Sequence, residues 1–120
     1  MQDLYWVGNS RAAVRAFPDE VRRAIGRALD TAQRGEKGPA AKPLRGFKGA
    51  GVLEIVDDHD GDTYRAVYTV RFAGAVYMLH AFQKKSRRGI QTPKQEMDLV
   101  RQRLALAEAD YQSRRRARGA

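Results

Sequence analysis

The 120-residue sequence has no cysteine, a single tryptophan and only two histidines, His59 and His80. Without cysteine there is neither a disulfide framework nor a zinc site built on thiolates. Two imidazoles are too few to suggest a structural transition-metal site, so no metal and no cofactor is expected. Long hydrophobic runs are missing as well. The longest largely apolar stretch, residues 72–82, contains His80 and falls far short of the roughly 20 residues of a membrane span. The opening Met1-Gln2-Asp3-Leu4-Tyr5-Trp6 lacks the basic-then-apolar order of a secretory leader. No helical pattern sets a Lys/Arg face against a Trp/Phe/Leu face, which argues against a membrane surface as partner. A small, basic, cytoplasmic domain is the expectation.

Positive charge is what the sequence has in excess. Lys and Arg number 23 against 14 Asp and Glu, a formal charge of +9. Such an imbalance implies an anionic partner, most commonly nucleic acid. Arg114, Arg115, Arg116 and Arg118 form a C-terminal run, and residues 113–120 are expected to be a disordered basic tail. The remainder is still basic without them. Its length and its 42% hydrophobic content suit one domain over residues 1–112.

Residues 4–7 read as a first strand. In residues 18–34, Val21, Ala24, Ile25, Ala28, Leu29 and Ala32 mark one apolar stripe of a helix. Pro18 stands in its first turn, Gly35 just past its end. A shorter helix over residues 11–17 precedes it. Residues 35–51, rich in Gly, Pro and Lys, read as a long loop. Three strands follow, at residues 52–57, 63–72 and 75–83, the first two joined by the acidic turn Asp58-His59-Asp60-Gly61. A basic loop, residues 84–90, leads to a last helix. Thr92, Pro93 and Gln95 form its capping box, and Met97, Val100, Leu104, Ala107 and Tyr111 its apolar stripe. This order predicts an α+β domain: an N-terminal strand and helices, a three-stranded antiparallel meander completing a four-stranded sheet, and a C-terminal helix. With helices on one face, the other stays open for a ligand.

A two-residue turn at Ala73-Gly74 would set Val67 opposite His80 and Arg65 opposite Phe82. Side chains alternate between faces. Tyr64, Ala66, Tyr68, Val70 and Phe72 would then join Tyr77, Leu79 and Ala81 in the core. Arg65, Val67, Thr69 and Arg71 would share the other face with Val76, Met78, His80, Phe82 and Lys84. A cationic face with one aromatic ring suits RNA, because Arg and Lys neutralise phosphate and Phe stacks an unpaired base. The structural alternative makes Arg65 and Arg71 solvent-facing and His80 an edge of the core.

Other apparent motifs fail. Gly46, Gly49 and Gly51 precede a strand and have the wrong spacing for a phosphate loop. The run Asp57-Asp58-His59-Asp60-Gly61-Asp62 places its glycine too early for an EF-hand and reads as a hairpin turn. Ser86 and Ser113 have no His or Asp at a readable spacing.

Five segments together resemble the RelE/ParE toxin superfamily, and more narrowly its phage-related, HigB-like branch. They are Lys42-Pro43-Leu44-Arg45-Gly46-Phe47, Val52-Leu53-Glu54-Ile55, Thr63-Tyr64-Arg65-Ala66-Val67-Tyr68, Tyr77-Met78-Leu79-His80-Ala81-Phe82-Gln83-Lys84-Lys85-Ser86 and Thr92-Pro93-Lys94-Gln95-Glu96. The resemblance implies a RelE-like fold and a type II toxin that cuts mRNA in the ribosomal A site without a metal. It also implies a cognate antitoxin, expected here to be a helix-turn-helix protein. The implied reaction is attack of a ribose 2′-hydroxyl on the adjacent phosphate. That step needs a base, an acid and positive charge near the phosphate.

By position, Arg65 matches the family's phosphate-binding Arg, and Lys85 its second catalytic cation, with Lys84 as neighbour and substitute. His80, from the register, is a candidate acid or base, with a structural role as its alternative. The family's basic residues on the preceding strand are absent from Val52-Leu53-Glu54-Ile55-Val56, and residues 86–93 lack the catalytic Tyr of RelE. Glu54 is therefore the candidate substitute base. Arg71, Phe82, Arg87, Arg88 and Lys48 complete the expected RNA-binding set. Two other functions suit the same pattern: a ParE-like inhibitor of DNA gyrase that cuts nothing, and a degenerate module that binds RNA or protein.

Overall fold

The structure, a computed structural model, describes residues 1–47, 49, 51–84 and 93–119. Its elements are β1 (Asp3–Trp6), α1 (Ser10–Arg15), α2 (Asp19–Gln33), β2 (Ala41–Pro43), β3 (Val52–His59), β4 (Asp62–Thr69), β5 (Ala75–Lys84) and α3 (Lys94–Gly119). One sheet holds the strands in the order β1-β5-β4-β3-β2. β1 runs parallel to β5, and the other neighbours are antiparallel.

The α+β class and the C-terminal helix follow the sequence pattern, but the sheet has five strands instead of four. The addition is β2, inside the segment expected to be a loop. Ala41 pairs with Ile55 and is buried, and the Leu44 N–H donates to the Val52 carbonyl at 2.9 Å. Pro43 is tolerated because β2 is an edge.

The stripe of α2 packs as its spacing predicts, with Val21, Ile25, Ala28, Leu29 and Ala32 buried. Pro18 stands at the N-cap, one position before the helix, with ψ 151°. The acidic run closes the β3–β4 hairpin. Asp60 and Gly61 both have positive φ, 49° and 84°, as a two-residue hairpin turn of type I′ requires.

The β4–β5 hairpin departs from its expected register near its turn. Arg65 does face Phe82, and Val67 faces His80; the next pair, however, is Tyr68 with Met78. Leu79 is thus an extra residue on β5, a bulge that moves Tyr77 and Leu79 to the opposite face from Tyr64, Ala66 and Tyr68. Val76 and Met78 take their places in the core beneath α1 and α2. β4 ends at Thr69 and β5 begins at Ala75, so residues 70–74 make the connection.

Both faces of the sheet carry helices, which corrects the one-sided expectation. Val52, Val67, Tyr77 and Leu79 form a second core with Val100 and Ala107 of α3. α3 also extends through Gly119, where a disordered tail was expected. The Tyr77 hydroxyl and the Arg114 Nε both donate to Asp110, each at 2.7 Å. Arg114 lies over the Tyr5 ring, 4.0 Å from its centre, and the Tyr111 hydroxyl donates to the Ala73 carbonyl. Arg118 reaches Asp3 at 3.5 Å. β1 gives the basic run its partners outside α3, Tyr5 for Arg114 and Asp3 for Arg118.

The hydrogen bonds from Arg114 and then Tyr77 hold the Asp110 carboxyl below its ordinary value of 3.8. A depressed carboxyl contributes stability that is present above its unfolded pKa and lost as pH falls through the folded one. Wild-type protein should therefore lose stability more steeply than Asp110→Asn from about pH 4 downward. Urea midpoints measured across that range check it, and parallel curves would remove Asp110 from the account.

Candidate functional site

The candidate site lies on the face that α3 shares. Arg65 on β4 and Glu54 on β3 are diagonal neighbours there, and their side chains form an ion pair at 3.1 Å, 5% and 16% exposed. Across from Arg65 stands Phe82, whose ring stacks on His80 with centroids 5.2 Å apart and planes at 21°. Lys84, opposite Thr63, is one alternation further along β5 and half-buried.

His80 is held from two sides. Arg103 of α3, itself buried, donates to the Leu79 carbonyl at 3.0 Å and to His80 Nδ1 at 3.2 Å. Its other terminal nitrogen donates to Asn9 Oδ1 at 2.6 Å. A guanidinium has no lone pair to offer, so His80 Nδ1 must accept, and the neutral ring carries its proton on Nε2. That nitrogen meets the Glu96 carboxylate. Burial pulls the Arg103 pKa down, and the charge of Glu96 pushes it back up.

The local backbone is shaped to admit this arginine. Gly8 has φ +57°, and a Cβ there would stand 2.9 Å from the Arg103 guanidinium carbon. A larger residue there would have to push the guanidinium aside in a backbone conformation that favours glycine.

Arg65, Glu54, His80, Phe82 and Lys84 thus share a face, with cation, carboxylate, imidazole and aromatic ring close together. Arg71 does not join them. Thr69 Oγ1 donates to the Gly51 carbonyl at 2.8 Å and accepts the Arg71 N–H at 3.2 Å, ending β4 there. Arg71 consequently lies exposed in the connection beside Gly51. Lys85, Arg87, Arg88 and Lys48 lie outside the described residues, as does Thr92 of the expected capping box. Among the described residues, no three His, Asp or Glu side chains converge as a metal site would require. Nor is any helix among them long and apolar enough to cross a membrane.

Glu96, Arg103 and Asn9 escaped the sequence reading. Glu96 and Arg103 occupy the same helical stripe as Val100 and Ala107, at spacings of four, three and four. A charged residue at such a position is a signal for a buried polar contact.

The sequence matches no curated protein. The isolated E. coli RelE toxin is similar in structure, with a TM-score of 0.55 at 17% identity over 85% of this chain and 98% of that one. A chain of the Mycobacterium tuberculosis RelBE2 toxin-antitoxin complex has a TM-score of 0.46 at 19% identity, covering 71% and 93%. The likeness to the first establishes a RelE-like fold. The model of the phage derived protein Gp49-like family (DUF891) matches residues 12–105, which include every strand after β1 and the start of α3. The chain belongs to this phage-derived, Gp49-like family.

Proposed function

We propose that this protein is the toxin of a type II toxin-antitoxin system, a metal-independent endoribonuclease that cuts mRNA on the ribosome in the cytoplasm. The observation that supports it best is the Arg65–Glu54 pair beside Phe82 on a RelE-like sheet, with the His80–Glu96 contact next to it. Phe82 offers a stacking surface for an unpaired base, and Lys84 a cation for phosphate. Arg65 is only 4% exposed and acts through its field, which a low-dielectric setting strengthens for charge developing on phosphorus. Lys85 is the second electrostatic residue in this reading, with Arg87, Arg88 and Lys48 as RNA contacts. The ribosome supplies much of the substrate positioning, so a modest set of side chains suffices. The partner that silences it is a cognate antitoxin of helix-turn-helix type, whose acidic segment covers the basic face.

Brief expression in bacteria, with new mRNA 5′ ends mapped while translation runs and while it is blocked, tests this reading. In-frame cuts that vanish when translation stops are expected. Growth arrest without cuts would favour gyrase inhibition, and folded protein without arrest would leave a binding module.

A further inference from the structure

We infer that Glu96, instead of His80 or Glu54, is the group that takes the proton from the 2′-hydroxyl; this rests on the nuclease reading above. A general base needs an open lone pair within reach of its substrate. Glu54 is paired with Arg65 and largely buried. His80 has no open nitrogen, since Nδ1 accepts from Arg103 and the Nε2 proton points at Glu96. Phe82 stacks on its ring. Glu96 is different. Its side chain is 29% exposed against 8% for His80, and only one of its carboxylate oxygens is engaged among the described residues.

The three groups form an ordered series that ends at the most exposed of them, Glu96. Arg103 fixes the tautomer of His80, the tautomer places a donor at Nε2, and that donor orients Glu96, leaving its second oxygen for substrate. This is the support logic of a base aligned by a third group. Glu96 is the catalytic residue, and His80 and Arg103 are positioning residues. Phe82 connects the parts, since it stacks on the ring that holds Glu96 and lies across from Arg65.

In the step, the 2′-hydroxyl proton passes to Glu96 as the 2′-oxygen bonds to phosphorus and the bond from phosphorus to the 5′-oxygen breaks. The departing 5′-oxygen takes a proton from water, and Glu96 returns its own to the hydroxide left behind. The products are a cyclic phosphate and a free 5′-hydroxyl. Among the described residues, the titratable and charged groups facing Glu96 are the neutral His80 from β5 and Arg103 from its own helix, with Arg65, Glu54 and Lys84 on the sheet face of His80.

Single-turnover cleavage of mRNA on purified ribosomes tests the assignment. Glu96→Gln should cut about 100-fold more slowly or worse while keeping its fold, since the amide cannot act as a base. His80→Ala should slow cleavage about tenfold, because the carboxylate loses the donor that orients it. His80→Gln, whose amide N–H reaches the Nε2 position, should recover most of that loss. Wild-type cleavage with an undiminished Glu96→Gln would overturn Glu96 as base and leave the nuclease reading standing. Undiminished cleavage by His80→Ala, or a His80→Gln no faster than His80→Ala, would overturn the relay. Wild-type protein that makes no cut overturns the nuclease reading and this assignment together.

Discussion

Glu54→Leu should lower the unfolding free energy by about 3 kcal/mol, and the double variant Glu54→Leu with Arg65→Met should regain most of that loss. The reason is the burial of the pair, 16% and 5% exposed, in the middle of a sheet face. Taking charges out of water is expensive, and their mutual attraction repays the cost only while both are present. Removing the carboxylate alone leaves a buried guanidinium short of its counter-charge. Removing both replaces a polar contact with hydrocarbon of similar volume, a change that is often close to neutral. Urea unfolding of the two single variants and the double variant gives the coupling energy directly. The double variant also separates roles, because under the proposed function it should be folded and should not arrest growth. Additive losses would mean that the two side chains do not interact.

A loss of similar size is expected at Arg103. Arg103→Met should cost about 3 kcal/mol, since three acceptors lose their donor at once. These are the Leu79 carbonyl, His80 Nδ1 and Asn9 Oδ1, contributed by β5 and the turn before α1. Asn9→Ala removes one arm and should cost only about 1 kcal/mol. The comparison asks whether α3 is held by its apolar stripe or by this arginine. Equal melting temperatures for wild type and Arg103→Met would assign the work to Val100 and Ala107. The imidazole nitrogens of His80 provide a second readout: nitrogen NMR should find the proton on Nε2 in wild type and a mixture of tautomers in the variant.

Much of this face was legible in the sequence, and the reasons are local. Alternation along β4 and β5 placed Arg65 opposite Phe82 and Val67 opposite His80, as observed. The exchange of Tyr77 and Leu79 with Val76 and Met78 was not legible. Each is apolar enough for either core, so nothing in the pattern marks Leu79 as a bulge. β2 escaped because three residues containing a proline resemble a loop until Ile55 is known to lie alongside. The Arg-rich terminus reads as a solvated coil for a similar reason. Its partners are Tyr5 and Asp3, with Tyr77 and Ala73 holding the turn of α3 just before it, all remote in sequence and visible only once the sheet is assembled. Arg103 and Glu96 were not legible as site residues because a charged side chain between apolar neighbours of a helix ordinarily reads as solvent-facing.

The parallel pairing of β1 with β5 has a consequence for how the chain is made. Asp3 aligns with Ala75 and Trp6 with Met78, so β1 has no neighbour in the sheet until β5 emerges. Closing a loop of that size is entropically costly and slow compared with forming a hairpin. The two-residue turn at Asp60-Gly61 lets β3 and β4 zip together early, while β1 waits. α3 and the Arg103 contact to Asn9 come later still. The face that carries Arg65 and Glu96 is therefore complete only once both β5 and α3 have emerged, and a chain stalled before α3 cannot display it.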